Sequence, residues 1–385
     1  MSKRKRNKRK LKINRIILLV SIILIIGIGV YLLIPNNYGY KKDVVKVFKE
    51  ENIIDIIREN KKYSKVLEEA IINNNFDKEY LLDYLNINYV ENNDTFIDDI
   101  NKLLKLGYNS NDINTFYEKL PNSISIITDN EYDKDIVNYI KLSYFKEDYL
   151  DRYIKYGYAI KDLKSPYDVT NIINNFTYED NITYVNANLD KDYYTSDIDV
   201  SNEEAMKVDV LVNKYYKLDS KFEPSDLEVI NSKYSSGTKK LRKEAKEAFE
   251  NMCSDALKEG YKMYAGSAYR TYDYQLGLYN RYVAKDGFSA AETYSARAGY
   301  SEHQLGLAVD ILNHSWEYIS ENNPEYTWLI NNSYKYGFIL RYPRGKEYIT
   351  GYMFEDWHFR YLGIELAEKV KNSNLTYDEY VAREL

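Results

Sequence analysis

Residues 16–34, from Ile16 to Ile34, carry no charged side chain. As a helix rising ~1.5 Å per residue, this run comes close to the ~30 Å hydrocarbon thickness of a bilayer. Residues 1–15 hold nine Lys and Arg and no acid. The run reads as a transmembrane anchor, and the basic tail stays on the cytoplasmic side by the positive-inside rule. A cleaved signal peptide would have an apolar region of about 7–15 residues and a small-x-small site. This stretch is longer and ends Leu32–Leu33–Ile34–Pro35–Asn36, with no such site. The expectation is a single-pass protein of the cell membrane whose body, after Pro35, lies outside the cytoplasm.

That body is acidic. Residues 16–385 carry 44 basic and 59 acidic side chains. A nucleic-acid binder needs a basic patch on its folded part, so no nucleic-acid partner is expected. Cys253 is the only cysteine, which excludes an intramolecular disulfide. It falls in a helix-like run beside Phe249 and Met252 and is expected to be a buried, apolar filler.

Residues 41–175 have a helical pattern. Val44, Val45, Val47 and Phe48, then Ile53, Ile54, Ile56 and Ile57, recur at helical spacings. Leu103–Leu104–Lys105–Leu106–Gly107–Tyr108 is echoed by Tyr153–Ile154–Lys155–Tyr156–Gly157–Tyr158. Each glycine follows an apolar patch and suits a left-handed helix end. Either small stacked helical repeats or an irregular helical spacer would account for this. The stretch has no His or Cys, and nothing catalytic is expected in it. Residues 176–205 read as a polar linker with a short strand near Ile182–Val185. Residues 206–385 read as a mixed domain. Its expected elements are a helix Thr238–Glu259 capped by Thr238, a strand Tyr261–Ser267, a helix Tyr272–Lys285, strand-like runs Leu305–Leu312 and Trp357–Leu362, and a helix Tyr326–Tyr336.

The chain has three histidines, and two of them sit in chemically suggestive runs. His303 and Asp310 are seven residues apart. They would be about 10 Å apart on a straight helix and over ~20 Å apart on a straight strand. They can share a metal only if the chain turns between them, which Gly306 permits. Asp310 lies between Val309 and Ile311, where a lone buried carboxylate is costly unless paired or metal-bound. The second run is Glu355–Asp356–Trp357–His358. Two histidines and one carboxylate with an open fourth position form the ligand set of a catalytic zinc site. His314, in Asn313–His314–Ser315, reads as a loop residue.

Ser301 to Asp310, S-x-H-x-x-G-x-A-x-D, followed by E-x-x-H at Glu355–His358, resembles the zinc D-alanyl-D-alanine carboxypeptidases and dipeptidases of the VanY/VanX type, peptidase family M15. That family includes L,D-carboxypeptidases. Ser267–Ala268–Tyr269–Arg270–Thr271–Tyr272 with Gln275 is similar to another of its segments. So are Arg341–Tyr342–Pro343–Arg344–Gly345–Lys346 with Thr350–Gly351–Tyr352, and His358–Phe359–Arg360–Tyr361–Leu362–Gly363. The resemblance spans roughly residues 208–370. It implies an α+β fold, a small antiparallel sheet flanked by helices. It implies Zn2+ held by His303, Asp310 and His358, with Glu355 as general base and then acid. Arg270 would join zinc in stabilising the oxyanion. Gln275 and Ser301 would lie near the substrate's C-terminal carboxylate and backbone, and Tyr352 would line the pocket. The implied substrate is a peptidoglycan stem peptide that loses its C-terminal D-alanine, with D,D- and L,D-cleavage both open. A dipeptidase would act on a cytoplasmic precursor, against the expected topology. Asp356 departs from the family, which has Pro there. The competing expectation is a membrane-tethered cell-wall scaffold with a degenerate peptidase domain. The complete ligand set and Glu355 weigh against it.

Overall fold

A computed structural model describes residues 38–132, 136–159, 177–195 and 198–385. The expected basic tail and transmembrane helix, residues 1–34, lie outside these. Among the described residues no helix is long and apolar enough to cross a membrane. The chain divides into two compact units, residues 1–141 and 142–385.

The described part of the first unit is helical. Its helices run from five to ten residues, too short to persist alone in water. They are held by packing. Lys42–Glu50 packs on Lys65–Ile72, that helix on Phe96–Lys105, and that on Ile124–Asp129. In a second row, Leu81–Asn86 packs on Ser110–Lys119, and that on Ile136–Ile140. Most of these helices bury an apolar stripe, such as Val44, Val45 and Phe48, or Ile100, Leu103 and Leu104. Asparagines tie neighbouring layers: Asn101 Nδ2 donates to the Asn75 carbonyl at 2.7 Å, and Asn114 Nδ2 to the Asn86 carbonyl at 3.0 Å. This is the nearest-neighbour layout of stacked helical repeats. The sequence echo is not a repeat of it. Gly107 has φ +89° just after Phe96–Lys105, whereas Gly157 lies inside the helix Leu150–Ala159 of the second unit.

In the second unit the expected linker is structured. Tyr178–Asn186 is a helix, not a strand near Ile182–Val185. Thr177 caps it and Asp180 closes the capping box. The helix packs on the C-terminal helix Tyr377–Glu384. Asn186 Nδ2 donates to the Ala382 carbonyl at 3.0 Å, and Arg383 Nε donates to Thr183 Oγ1 at 2.8 Å. Its polar composition resembled a linker because these polar groups find partners that are remote in sequence.

Strand β1 (Ile198–Val200) pairs in parallel with β2 (Tyr216–Leu218), and β3 (Leu227–Val229) pairs antiparallel with β4 (Lys240–Arg242). Because β4 occupies Lys240–Arg242, the following helix starts at Lys243, and Arg242 stands at its N-cap where Thr238 was expected. The central sheet is antiparallel, in the order β5 (Tyr264–Ser267), β6 (Ala308–Leu312), β8 (His358–Tyr361), β7 (Phe338–Leu340). Side chains alternate between its faces. Val309, Ile311, Phe359 and Tyr361 share a core with Phe249, Met252 and Cys253 of the helix Lys243–Lys258 and with Trp328 and Leu329. The alternate positions of β6 and β8, Asp310, His358 and Arg360, are left for the other face.

Candidate active site

The β6–β8 register sets Asp310 directly opposite His358. Asp310 Oδ1 lies 3.0 Å from His358 Nδ1. His303 arrives from the 3-10 turn Glu302–Leu305, and Gly306 makes the required turn at φ +68°. The positive φ strains any other residue there, and a Cβ on Gly306 would also push the Leu227 side chain, whose Cδ2 it would meet at 2.8 Å. His303 Nδ1 lies 2.7 Å from the Ala268 carbonyl. That carbonyl can only accept, so Nδ1 carries the hydrogen and Nε2, 3.3 Å from Asp310 Oδ2, has the free lone pair. The three ligand atoms lie within 4.8 Å of one another, all buried. Two imidazole nitrogens and a carboxylate at this spacing fit a divalent cation with nitrogen and oxygen ligands.

The surroundings set the charges. Burial would raise the Asp310 carboxyl, but His303 and Arg270 hold it well below the usual carboxylate range. Burial, with Arg270 beside it, lowers His303 to about 4. Burial opposes protonation of His358 too, yet hydrogen bonding to Asp310 and Glu302 raises it to about 9. Burial lifts Glu355 to about 8 against the opposing pull of His358. A cation must therefore displace the His358 proton below pH 9. Its affinity should rise from pH 7 toward 9 by at least about tenfold per pH unit at the lower end, with release of the His358 proton and of any proton on Glu355. Calorimetry in buffers of different protonation enthalpy reads both quantities. Affinity independent of pH over that range, or full cation occupancy in His303→Ala, would contradict this ligand set.

His303, Asp310, His358, Glu355, Arg270, Gln275, Ser301 and Tyr352 all line one cavity of about 400 Å³. Arg270 is more committed than its motif suggested. Its Nε donates to Ser267 Oγ at 2.9 Å, Nη1 to Gln275 Oε1 at 3.3 Å, and Nη2 to Asp310 Oδ2 at 2.7 Å. Of the five guanidinium N–H groups, these bonds leave two. Gln275 also donates from Nε2 to the Ala296 carbonyl at 2.7 Å, so both ends of its amide are engaged. His314 stands apart, with Nδ1 2.8 Å from Glu325 Oε1. Asp356 accepts the Glu321 backbone N–H at 2.8 Å. It ties the loop after β6 to the turn that presents His358, a bond that proline could not accept with a side chain.

Sequence reading missed the support behind His358. Glu302 Oε2 lies 3.5 Å from His358 Nε2. Glu302 Oε1 accepts from Arg341 Nε at 2.8 Å and Arg360 Nη1 at 2.9 Å, with all three side chains fully buried. Arg341 reaches on to Asp378 at 2.5 Å, and Arg360 donates to the Val208 and Val210 carbonyls. The available signal was Arg360, two residues after His358 in an aromatic strand and so on the same face.

Residues 238–364 match the family model described as VanY, D-alanyl-D-alanine carboxypeptidase. The putative carboxypeptidase YodJ of Bacillus subtilis is 42% identical over 178 residues, which is 44% of this chain and 65% of YodJ. The bifunctional D-Ala-D-Ala dipeptidase and carboxypeptidase VanXYC of Enterococcus gallinarum is 30% identical over 177 residues, 44% of this chain and 91% of VanXYC. The chain belongs to the VanY family. A solved structure of the LdcB LD-carboxypeptidase is 38% identical and covers 48% of this chain and 89% of its own, with a TM-score of 0.45. The chain spans 65%, 58% and 53% of the length of three carboxypeptidase relatives. The VanY match lies wholly within the second unit.

Proposed function

We propose that this chain is a zinc metallocarboxypeptidase that hydrolyses the C-terminal D-alanine of peptidoglycan stem peptides, in D,D or L,D linkage. The observation that carries the reading is the convergence of His303, Asp310 and His358 with Glu355 and Arg270 on one cavity. Bound there, zinc would polarise the scissile carbonyl and lower the pKa of water toward ~7. Glu355 takes the water proton and passes it to the departing amine. The two uncommitted N–H groups of Arg270 are donors for the oxyanion, and Gln275 holds that guanidinium in place. Ser301 contacts the substrate backbone, and Tyr352 forms the cavity wall. The uncharged run 16–34 and the basic tail support an anchor that leaves the peptidase unit outside the membrane, where the stem peptides are.

The test is a product assay. Full chain loaded with zinc is incubated with defined muropeptides and read by mass spectrometry. Alanine lost from the pentapeptide alone assigns D,D-cleavage, and alanine lost from the tetrapeptide assigns L,D-cleavage. Loss from neither, with the chain still bound to wall, would replace the enzyme reading with the scaffold.

A further inference from the structure

Lys214 is a lysine with 2% exposure. Its nearest ion-pair partner among the described residues, the Glu292 carboxylate, is 3.9 Å away. Burial pulls its pKa down to about 8 against the opposing effect of Glu292, so the ammonium is charged at neutral pH. A buried charge needs compensation. Nζ donates to the Glu292 carbonyl at 2.6 Å. It also lies 4.5 Å from the centroid of the Tyr193 ring, 4.6 Å from that of Tyr352 and 5.9 Å from that of Tyr194. Ring faces attract a cation most strongly where water is excluded.

One of these rings belongs to the cavity. Tyr352 lines it, is 3% exposed, and has a hydroxyl whose hydrogen-bond neighbour among the described residues is the Tyr194 side chain. A phenol can donate and accept at once, so a polar group of a bound peptide can still bond to it. The Tyr352 ring is 4.9 Å from Tyr342, which is 5.0 Å from His358. Contacts thus run from Lys214 through Tyr352 and Tyr342 to a proposed ligand. Gly351 makes this close packing possible. It has φ +74°, and a Cβ there would meet Lys214 Cδ at 3.0 Å and the Tyr193 hydroxyl at 3.1 Å.

The other two rings come from residues expected to be linker, ahead of the family match that begins at residue 238. The Tyr194 backbone N–H donates to the Lys214 carbonyl at 3.0 Å. Its ring lies 3.9 Å beneath the Arg297 guanidinium and 4.8 Å from Tyr300, the neighbour of Ser301.

We propose that Lys214, clamped by Tyr193 and Tyr194 from the segment ahead of the matched domain, is a positioning residue that holds Tyr352 in the cavity wall to receive the substrate peptide. This rests on the carboxypeptidase reading for the identity of the peptide. Binding of stem tetra- and pentapeptide is measured by calorimetry on zinc-loaded full chain carrying Glu355→Gln. Lys214→Met should weaken binding about tenfold with zinc stoichiometry unchanged, and by under about twofold when Tyr352→Ala is already present, because contacting groups couple. An unchanged Kd, or the same loss in both backgrounds, overturns the proposal. Should Lys214→Met fail to fold, Tyr194→Leu, a more conservative change at a partly buried ring, should weaken binding about threefold with the same dependence on Tyr352. A folded Tyr194→Leu chain with unchanged Kd overturns the proposal equally. The two readings separate in the wild type. Peptide binding without alanine release overturns the carboxypeptidase reading alone, whereas no peptide binding overturns both.

Discussion

Replacing Glu355 by glutamine is expected to lower alanine release roughly 10²–10⁴-fold, the contribution of a positioned proton-transfer group, while the cation stays bound. Glu355 is not one of the three ligand groups, although its Oε2 lies 3.7 Å from His358 Nδ1. Glutamine preserves its shape and removes its basicity. Burial lifts this carboxyl to about 8, and a neighbouring dication lowers it again by favouring the charged form. A base must be ionised, so activity should fall as pH drops through the resulting pKa. The checks are turnover of the stem peptide and metal content by elemental analysis. Undiminished turnover would remove Glu355 from the reaction, and loss of the cation would make it a ligand.

The second large effect is on stability. Glu302→Ala would leave the Arg341 and Arg360 guanidiniums buried with Asp378 as the remaining carboxylate contact of Arg341. Removing one partner of a buried ion pair costs about 3–5 kcal/mol, a large share of the ~5–15 kcal/mol that holds a domain. Burial would raise the Glu302 pKa, but Arg341 and Arg360 keep it well below its ordinary value of 4.5. A depressed carboxylate contributes its stabilisation above its unfolded pKa and loses it as pH falls through the folded one. The destabilisation should therefore be complete at pH 7 and shrink in strong acid. Urea unfolding of the full chain measures it, and a change under about 1 kcal/mol at pH 7 would show that the network does not bear on stability. Cation affinity should fall as well, by about 10–100-fold, because Glu302 orients His358 through Nε2.

How much was legible differs from residue to residue. Asp310 stood out because a carboxylate inside Ala308–Leu312, where every position is buried, demands a partner. The same logic applied to Arg360 and Glu302, but each needs the other, and they lie 58 residues apart. Thr177 and Asp180 carried a local helix-start signal. The stretch still read as linker because its burial depends on Ala382 and Arg383, about 200 residues on.

The sequence by itself determined the candidate donor set, its order along the chain, the carboxylate proposed as the base and the membership in the VanY family. These follow from side-chain chemistry at short, fixed spacings. Only the tertiary structure decided which atoms face one another. The β6–β8 register put Asp310 against His358, the Ala268 carbonyl chose the His303 tautomer, and Ser267, Gln275 and Asp310 took three of the five N–H groups of Arg270. It also brought Tyr193 and Tyr194 behind the cavity wall. Such pairings depend on contacts between segments tens to hundreds of residues apart, which local pattern does not encode.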